Sequence, residues 1–187
     1  MRILILASQV SSYHNARFIG AAQHFDEVHV LSTVNAGAFP ELLARSLGEY
    51  SLHRLYDGRD IYMKAVNNGE LCREVTDKIK QIEPDAIAAA GWTAPESLAA
   101  LQYGTSNGVP TIVMSESQSD DGPRSRLREQ IKRFVVSRFD AALVGGATHA
   151  DYVSALGIPR DRIYLGYNAV ENEHFASGAV QARDNAS

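Results

Sequence analysis

The 187-residue sequence contains a single cysteine, Cys72, so the chain cannot form an internal disulfide. Cys72 falls on a predicted helix, which favours a reduced, cytoplasmic setting and a structural thiol. No apolar run approaches the length of a membrane span. The apolar start, residues 3–6, is too short for a signal-peptide core and turns polar at Ser8, so it is interpreted as a first strand.

The chain also lacks a large charge excess and two common phosphate-binding motifs. Its formal net charge of -4 argues against general binding to polyanions. A dinucleotide site would show Gly-x-Gly-x-x-Gly after the first strand, but residues 8–12 contain no glycine. A Walker A sequence does not occur either. The dinucleotide-binding and NTPase classes therefore lose their main support.

What the sequence does contain is a regular alternation of short apolar strands and helical segments. Strands are predicted at 2–7, 27–32, 51–56, 85–90, 111–114, 141–144 and 162–167. Helices are predicted at 13–24, 40–47, 67–83, 93–107, 123–139 and 148–156. This alternation predicts a three-layer α/β fold, a doubly wound parallel sheet of Rossmann-like order with strand 51–56 near an edge. The strand ends at Ala7, Gly91, Glu116 and Gly145 should then share one rim.

The segment 168–175 reads NAVENEHF and follows the last predicted strand. It resembles the N-G-V-D-x-x-x-F element of family 4 (group 1) glycosyltransferases of the GT-B fold, with Ala169 and Glu171 replacing the usual glycine and aspartate. Further matches are the strand 85–91, the Gly-Val-Pro turn before Thr111, and Phe139-Asp140 before strand 141–144. The resemblance extends in order from Met1 to about Phe175.

The resemblance implies an enzyme that transfers a sugar, with retention, from a nucleoside-diphosphate sugar to an acceptor hydroxyl. Residues 1–175 would form its N-terminal, acceptor-side Rossmann-like domain, and residues 176–187 the start of an interdomain linker or a loose tail. The C-terminal donor-binding domain is absent from this sequence and is the expected partner, so residues 1–187 alone should be inactive. No metal or cofactor is implied beyond the sugar nucleotide, which is the donor substrate.

The candidate catalytic residue is Glu116, at the predicted carboxyl end of strand 111–114. Ligands bind beyond such ends in open α/β sheets. Many relatives place a histidine at this position, and a carboxylate there can bind an acceptor hydroxyl, orient it or deprotonate it. Ser115 and Ser117 are its hydrogen-bonding neighbours. Asp120 and Asp121 are assigned to the same rim, with Asp120 as a substrate-binding residue, although two aspartates before Gly122-Pro123 also make an ordinary turn.

Other strand ends supply candidate substrate-binding residues. Ser8 and Gln9 would replace the family's glycines near the donor diphosphate, at the N-terminus of the first helix. His14 and Arg17 would add positive charge toward the same crevice. The alternative is serine capping the helix, with two solvated side chains.

Strands four and six end in glycine, and a tryptophan follows the first of these ends. Gly91 precedes Trp92, which is either a core residue or an apolar platform for the acceptor. Gly145 and Gly146 allow the backbone to approach a ligand or to turn tightly. Glu96 is interpreted as the capping partner of Thr93 and is left out of the site.

Helix 123–139 carries six basic residues and one acidic residue. Leu127, Ile131, Phe134 and Val135 form a stripe that we expect to pack on the sheet. The basic face suits an anionic membrane surface or a phosphate-bearing acceptor such as a lipid-linked sugar, or it is simply solvated. Nucleic acid is a poorer partner because no aromatic residues interleave with the basic ones. The expected setting is cytoplasmic, with peripheral contact at the inner face of a membrane.

Two other function classes stay open at this point. A non-catalytic binding module of flavodoxin-like topology would have a self-sufficient pocket, but the chain lacks a flavin-phosphate loop after its first strand. Half of a sugar-nucleotide epimerase with the same two-domain architecture is not distinguished from half of a transferase by these residues.

Overall fold

A computed structural model of the chain describes residues 1–10, 12–34, 49–121, 125–169 and 172–184. Seven strands form one parallel sheet: β1 (Arg2–Gln9), β2 (Glu27–Val34), β3 (Ser51–Tyr56), β4 (Ala86–Ala90), β5 (Thr111–Ser115), β6 (Ala141–Val144) and β7 (Ile163–Leu165). Their order is β3-β2-β1-β4-β5-β6-β7. The prediction of a doubly wound sheet of Rossmann-like order is confirmed, and β3 lies at an edge as expected.

The helices are α1 (Ser12–Ala22), α2 (Arg59–Asn68), α3 (Glu70–Ile82), α4 (Pro95–Asn107), α5 (Arg126–Val136), α6 (Ala147–Ala155) and α7 (Asn172–Asp184). A short 3-10 helix, Arg160–Arg162, precedes β7. Helix α2 is absent from the sequence-based prediction, and the predicted helix 40–47 lies outside the described residues. Within the described ranges, every helix is too short or too polar to pass through a lipid bilayer.

The C-terminal segment differs from its prediction. Residues 176–184 continue helix α7 instead of forming an irregular tail. Three alanines in this stretch have the highest helix propensity of any residue, and helical hydrogen bonds do not require an apolar face. The proposed domain boundary near residue 175 stays a prediction.

Side chains of the central strands alternate between two cores. In β1, Leu4 and Leu6 join a large cluster with residues of α2 to α6. Ile3 and Ile5 point to the opposite face, where Phe18 of α1 covers them. Because both faces are buried, β1 shows a continuous apolar run rather than an alternating pattern.

Helix α4 lies close against β5 through Gly104. A Cβ atom at this position would collide with the Thr111 side chain and would lie 2.7 Å from the Val109 carbonyl oxygen. Asp140 also fixes the start of β5, because its carboxylate accepts the Thr111 N–H at 2.7 Å. These contacts hold in place the strand whose far end carries Glu116.

Helix α5 contradicts the predicted packing of its apolar stripe. Leu127, Ile131 and Phe134 are 65%, 56% and 62% exposed, and they do not pack on the sheet. Val135 is half-buried and Val136 is fully buried, so only the end of the helix reaches the core. The reason is that α5 is attached through polar side chains to α6, which turns the stripe outward.

Two stacked histidines link β2 and β3 at the end of the sheet opposite the strand C-termini. His29 Nδ1 lies 2.9 Å from His53 Nε2, and the ring centres are 5.2 Å apart. Burial lowers the pKa of His53, and the charges of His29 and Lys78 lower it further. Glu27, 3.4 Å from His29, has its pKa lowered to about 2, mainly by its hydrogen bond to Arg2.

The histidine pair predicts a pH-dependent stability. The pKa of His53 is lower in the folded protein than in the unfolded chain, so the unfolded chain binds a proton first as the pH falls. The contribution of neutral His53 to the free energy of unfolding is therefore complete above about pH 6.5 and is lost as the pH falls below that value. The free energy of unfolding, measured by urea denaturation from pH 7.5 to pH 5, should fall less steeply in His53→Gln than in the parent chain. His24→Gln, at an exposed position, serves as the matched control. Parallel curves for parent and His53→Gln would contradict the assignment.

Candidate functional site

The carboxyl ends of the central strands meet on one rim of the sheet. The register places Ala90 beside Met114 in the β4–β5 pair. In the β5–β6 pair it places Ser115 beside Val144. β1 runs parallel to β4, with Leu6 beside Ala89. The predicted rim is therefore confirmed, and it contains Ala7, Gly91, Glu116 and Gly145.

A crevice with a volume of about 430 Å³ opens at this rim. It is lined by Gly91, Met114, Ser115, Glu116, Ser117, Asp121 and Tyr167. Four of the predicted site residues, Gly91 and the three consecutive residues 115–117, are thus brought together. Carboxylate and hydroxyl groups at such a crevice can bind and orient the hydroxyl groups of a ligand.

The backbone around Glu116 is held by a local hydrogen bond. The Ser117 N–H donates to the Ser115 hydroxyl oxygen at 3.1 Å, and Ser115 is buried. This turn leaves Glu116 exposed on the crevice wall. Its carboxylate is therefore accessible to a ligand.

The two aspartates that follow take different positions. Asp121 lines the crevice, and its carboxylate accepts the Gln118 N–H at 2.8 Å. Asp120 is exposed and is not among the residues that line the crevice. Of the two aspartates, Asp121 is the one that lines the crevice, and a substrate-binding role for Asp120 stays a prediction.

Gly91 and Trp92, which follow β4, have different environments: Gly91 lines the crevice and Trp92 is buried. Gly91 has φ = 75°, a conformation that favours glycine, and its N–H donates to the Met114 carbonyl at 2.8 Å. Trp92 is only 5% exposed and packs edge-on against Tyr152 at 6.2 Å. Of the two alternatives for Trp92, the core residue is correct and the exposed platform is wrong.

Glu96 is the main residue that the sequence interpretation missed. It is fully buried, and its carboxylate accepts hydrogen bonds from Ser8, from Tyr62 at 3.0 Å and from Thr33 at 3.4 Å. The predicted capping box with Thr93 is wrong, since Ala94 precedes α4 and the carboxylate points into the protein. Burial and the negative Glu96 raise the pKa of Tyr62 to about 12, so Tyr62 remains a donor at neutral pH.

This cluster changes the role of Ser8. Its hydroxyl donates to Glu96, and its carbonyl oxygen accepts the Thr33 hydroxyl at 3.1 Å. Ser8 therefore connects the end of β1 to β2 and α4. Gln9, the last residue of β1, is exposed at the rim. No local pattern distinguishes Glu96 from a helix-capping glutamate, because its partners come from three distant segments.

Helix α1 carries the two predicted basic residues, and of these Arg17 borders the crevice whereas His14 does not line it. Arg17 donates to the Tyr167 carbonyl at 2.8 Å, and its guanidinium carbon lies 4.7 Å from the Tyr167 ring centre. Tyr167 lines the crevice, so Arg17 borders it through that residue. His14 stacks on Phe18 at 6.2 Å. His14 and Arg17 both line a separate apolar groove of about 540 Å³ on the α1 side of the sheet.

Gly145, the first of the two glycines after β6, lies close to the segment that carries the family resemblance. A Cβ atom at Gly145 would lie 3.1 Å from the side-chain nitrogen of Asn168. Gly146 adjoins Gly145 and precedes α6 with extended backbone. Asn168, like Tyr167, is missing from the predicted site because it is distant in sequence. Val170 and Glu171 of the same segment lie outside the described residues.

The Glu96 cluster predicts a specific loss of stability. Glu96→Ala leaves the Ser8 and Tyr62 hydroxyls without their acceptor, at a cost of about 1–3 kcal/mol per stranded group, whereas the Thr33 hydroxyl keeps the Ser8 carbonyl oxygen. We expect the free energy of unfolding in urea to fall by about 2–5 kcal/mol, with a smaller fall in Glu96→Gln, which keeps one acceptor oxygen. Tyr62→Phe, which removes one donor only, should cost about 1 kcal/mol. Equal stability of Glu96→Ala and the parent would show that the cluster is not formed.

A family model described as glycosyl transferase 4-like domain matches residues 21–168. No curated protein matches the sequence. Among solved structures, the UDP-N-acetylglucosamine 2-epimerase of Rickettsia bellii is 16% identical with a TM-score of 0.59, over 88% of this chain and 44% of that one. The Neisseria meningitidis UDP-GlcNAc 2-epimerase, bound to UDP-GlcNAc, is 14% identical with a TM-score of 0.57, over 88% and 45%.

The Anabaena protein HepE, in complex with UDP, is 12% identical with a TM-score of 0.59, over 91% of this chain and 45% of that chain. These identities establish a common fold only. The chain spans less than half the length of each of these three proteins.

Proposed function

The chain belongs to the glycosyl transferase 4-like domain family, and on that premise we propose that it is the acceptor-binding half of a sugar-transferring enzyme. The reaction moves a sugar, with retention, from a nucleoside-diphosphate sugar to an acceptor hydroxyl. The observation that carries the proposal is the crevice at the carboxyl ends of β4 and β5, whose wall presents Glu116 between two serines.

Glu116 is assigned the catalytic role in this proposal. Its exposed carboxylate can accept the proton of an acceptor hydroxyl or orient that hydroxyl by a hydrogen bond. Ser115 and Ser117 fix the backbone on both sides of it. Asp121 and Gly91 also line the crevice, and they are assigned to bind other polar groups of the acceptor.

In this proposal the donor is bound mainly by a second, donor-binding domain of the enzyme. Family membership and the neighbours' length support this division, because the chain spans 44% of the Rickettsia bellii epimerase. Gln9 and the N-terminus of α1, with Arg17 beside Tyr167, are assigned to the donor diphosphate on this side. The acceptor is a free or lipid-linked sugar, and the setting is cytoplasmic, at the inner face of a membrane.

A second candidate function is half of a sugar-nucleotide epimerase. The fold similarity to UDP-GlcNAc 2-epimerases, which extends over 88% of this chain, favours it. The two candidates differ in their need for an acceptor: the epimerase converts a sugar nucleotide alone, and the transferase requires a second substrate. The flavodoxin-like binding module finds no support in the family match.

The proposal is tested by turnover with and without a donor-binding half. Purified residues 1–187 should give no steady release of nucleoside diphosphate from any sugar nucleotide. A chain extended by a donor-binding half should release it only when an acceptor is added. Steady turnover by residues 1–187 would refute the division into halves. Acceptor-independent conversion of UDP-GlcNAc by the extended chain would establish the epimerase instead.

The role of Glu116 is tested by Glu116→Gln in the extended chain. Loss of acid–base help should lower kcat by about 10²–10⁴-fold, with folding unchanged because the side chain is exposed. A raised acceptor KM with kcat intact would instead assign Glu116 to binding alone. Asp77→Asn, an exposed carboxylate on α3, is the matched control. Unchanged constants in Glu116→Gln would remove this residue from the site.

A further inference from the structure

Helix α5 is amphipathic, and it contacts the rest of the domain mainly through its polar face. Surface helices normally bury their apolar stripe and expose their charges. Here Leu127, Ile131 and Phe134, which we call the outer stripe, are each more than half exposed. These residues follow at i, i+4 and i+7 and therefore lie on one side of the helix.

The inner face of α5 is held by polar contacts with α6. Lys132 donates to the Tyr152 hydroxyl at 2.8 Å and to Glu129 at 2.9 Å, and these bonds raise its pKa. Glu129 also accepts the Tyr152 hydroxyl at 3.1 Å. Arg133 donates to the Ala155 carbonyl at 3.0 Å. This network holds the helix in the orientation that exposes the outer stripe.

Basic side chains border the outer stripe. Arg126 and Arg128 are exposed near Leu127. Arg138 follows the helix and places its guanidinium 3.4 Å from the Phe134 ring centre. From residue 126 to residue 138 the sequence carries five basic residues and one acidic residue, whereas the whole chain has a net charge of -4. The positive charge is therefore concentrated around the exposed apolar residues.

The charge pattern decides between two kinds of occupant. A two-fold contact between the outer stripes of two copies would bring two sets of arginines together, which is unfavourable at close range. An anionic lipid surface satisfies both features at once: its headgroups neutralise the arginines, and its acyl region receives the apolar side chains.

We propose that α5 docks this domain on an anionic membrane surface, with the outer stripe inserted at the boundary between headgroups and acyl chains. Helix α5 begins at Arg126, five positions after Asp121, which lines the crevice. Docking through α5 therefore holds the crevice near the lipid headgroups. Membrane docking through α5 requires neither a donor nor turnover, so it goes beyond the proposed reaction.

The test measures binding of residues 1–187 to vesicles by co-sedimentation. Vesicles of phosphatidylcholine with phosphatidylglycerol should bind the chain, and vesicles of phosphatidylcholine alone should not. Arg126→Gln and Arg128→Gln should each weaken binding about fivefold. Phe134→Ala should weaken it roughly tenfold. Ile61→Ala and Arg73→Gln, exposed positions on α2 and α3, are the matched controls and should bind like the parent.

Insertion is measured separately with a fluorescent reporter. In Phe134→Trp the new indole should shift its emission to shorter wavelength when phosphatidylglycerol vesicles are added, whereas in Ile61→Trp it should not shift. The natural Trp92 is buried and provides a constant background.

Three results would overturn the proposal. One is failure to bind anionic vesicles at low ionic strength. Another is full binding by Phe134→Ala with no shift in Phe134→Trp, since the arginines alone would then account for adsorption. The third is a dimer in solution that dissociates when the outer stripe is replaced by serine, which would assign the stripe to a protein interface. Each of these results would also remove the membrane setting from the proposed function, but none of them bears on sugar transfer itself, which the turnover experiment tests separately.

Discussion

The parallel hydrogen bonding of β1, β4, β5 and β6 is the constraint on which the rest of this structure depends. Because all the strands run in one direction, their carboxyl ends lie on one edge of the sheet. Residues that are far apart in sequence, such as Gly91 and Glu116, thereby line one crevice. The same arrangement requires a helical crossover between neighbouring strands, so helices α4 and α6 and the C-terminal end of α5 are packed against one face of the sheet.

The rim contains two polar regions with opposite degrees of burial. At the end of β5, Glu116 is exposed and its carboxylate is accessible to a ligand. Beneath the end of β1, Glu96 is fully buried and satisfied by neighbouring hydroxyls. A buried carboxylate is tolerated only when it is hydrogen-bonded, so the second region stabilises the rim on which the first can act. Burial and hydrogen bonding, rather than residue type, distinguish their roles.

The fold class and the strand order of this protein could be predicted with little information beyond periodicity. Apolar runs such as residues 3–6 indicate strands buried on both faces, and strict alternation with helices leaves few topologies. The crevice residues at 115–117 were accessible to prediction for the same reason: they directly follow a strand. The position of Trp92 was not, since the direction of a side chain just past a strand depends on the turn that the backbone makes there.

The alternation of strands and helices, the family resemblance and the concentration of basic residues between 126 and 138 can all be recognised without a structure, because they are properties of neighbouring positions. Tertiary structure alone decided which groups meet. Glu96 has the sequence context of a helix cap, and only the approach of Ser8, Thr33 and Tyr62 makes it the centre of a buried cluster. The apolar stripe of α5 predicts a face toward the core, but bonds from its polar side to Tyr152 turn that stripe to solvent. Periodicity specifies that a helix has two faces, and only its contacts with the rest of the chain specify which face is buried.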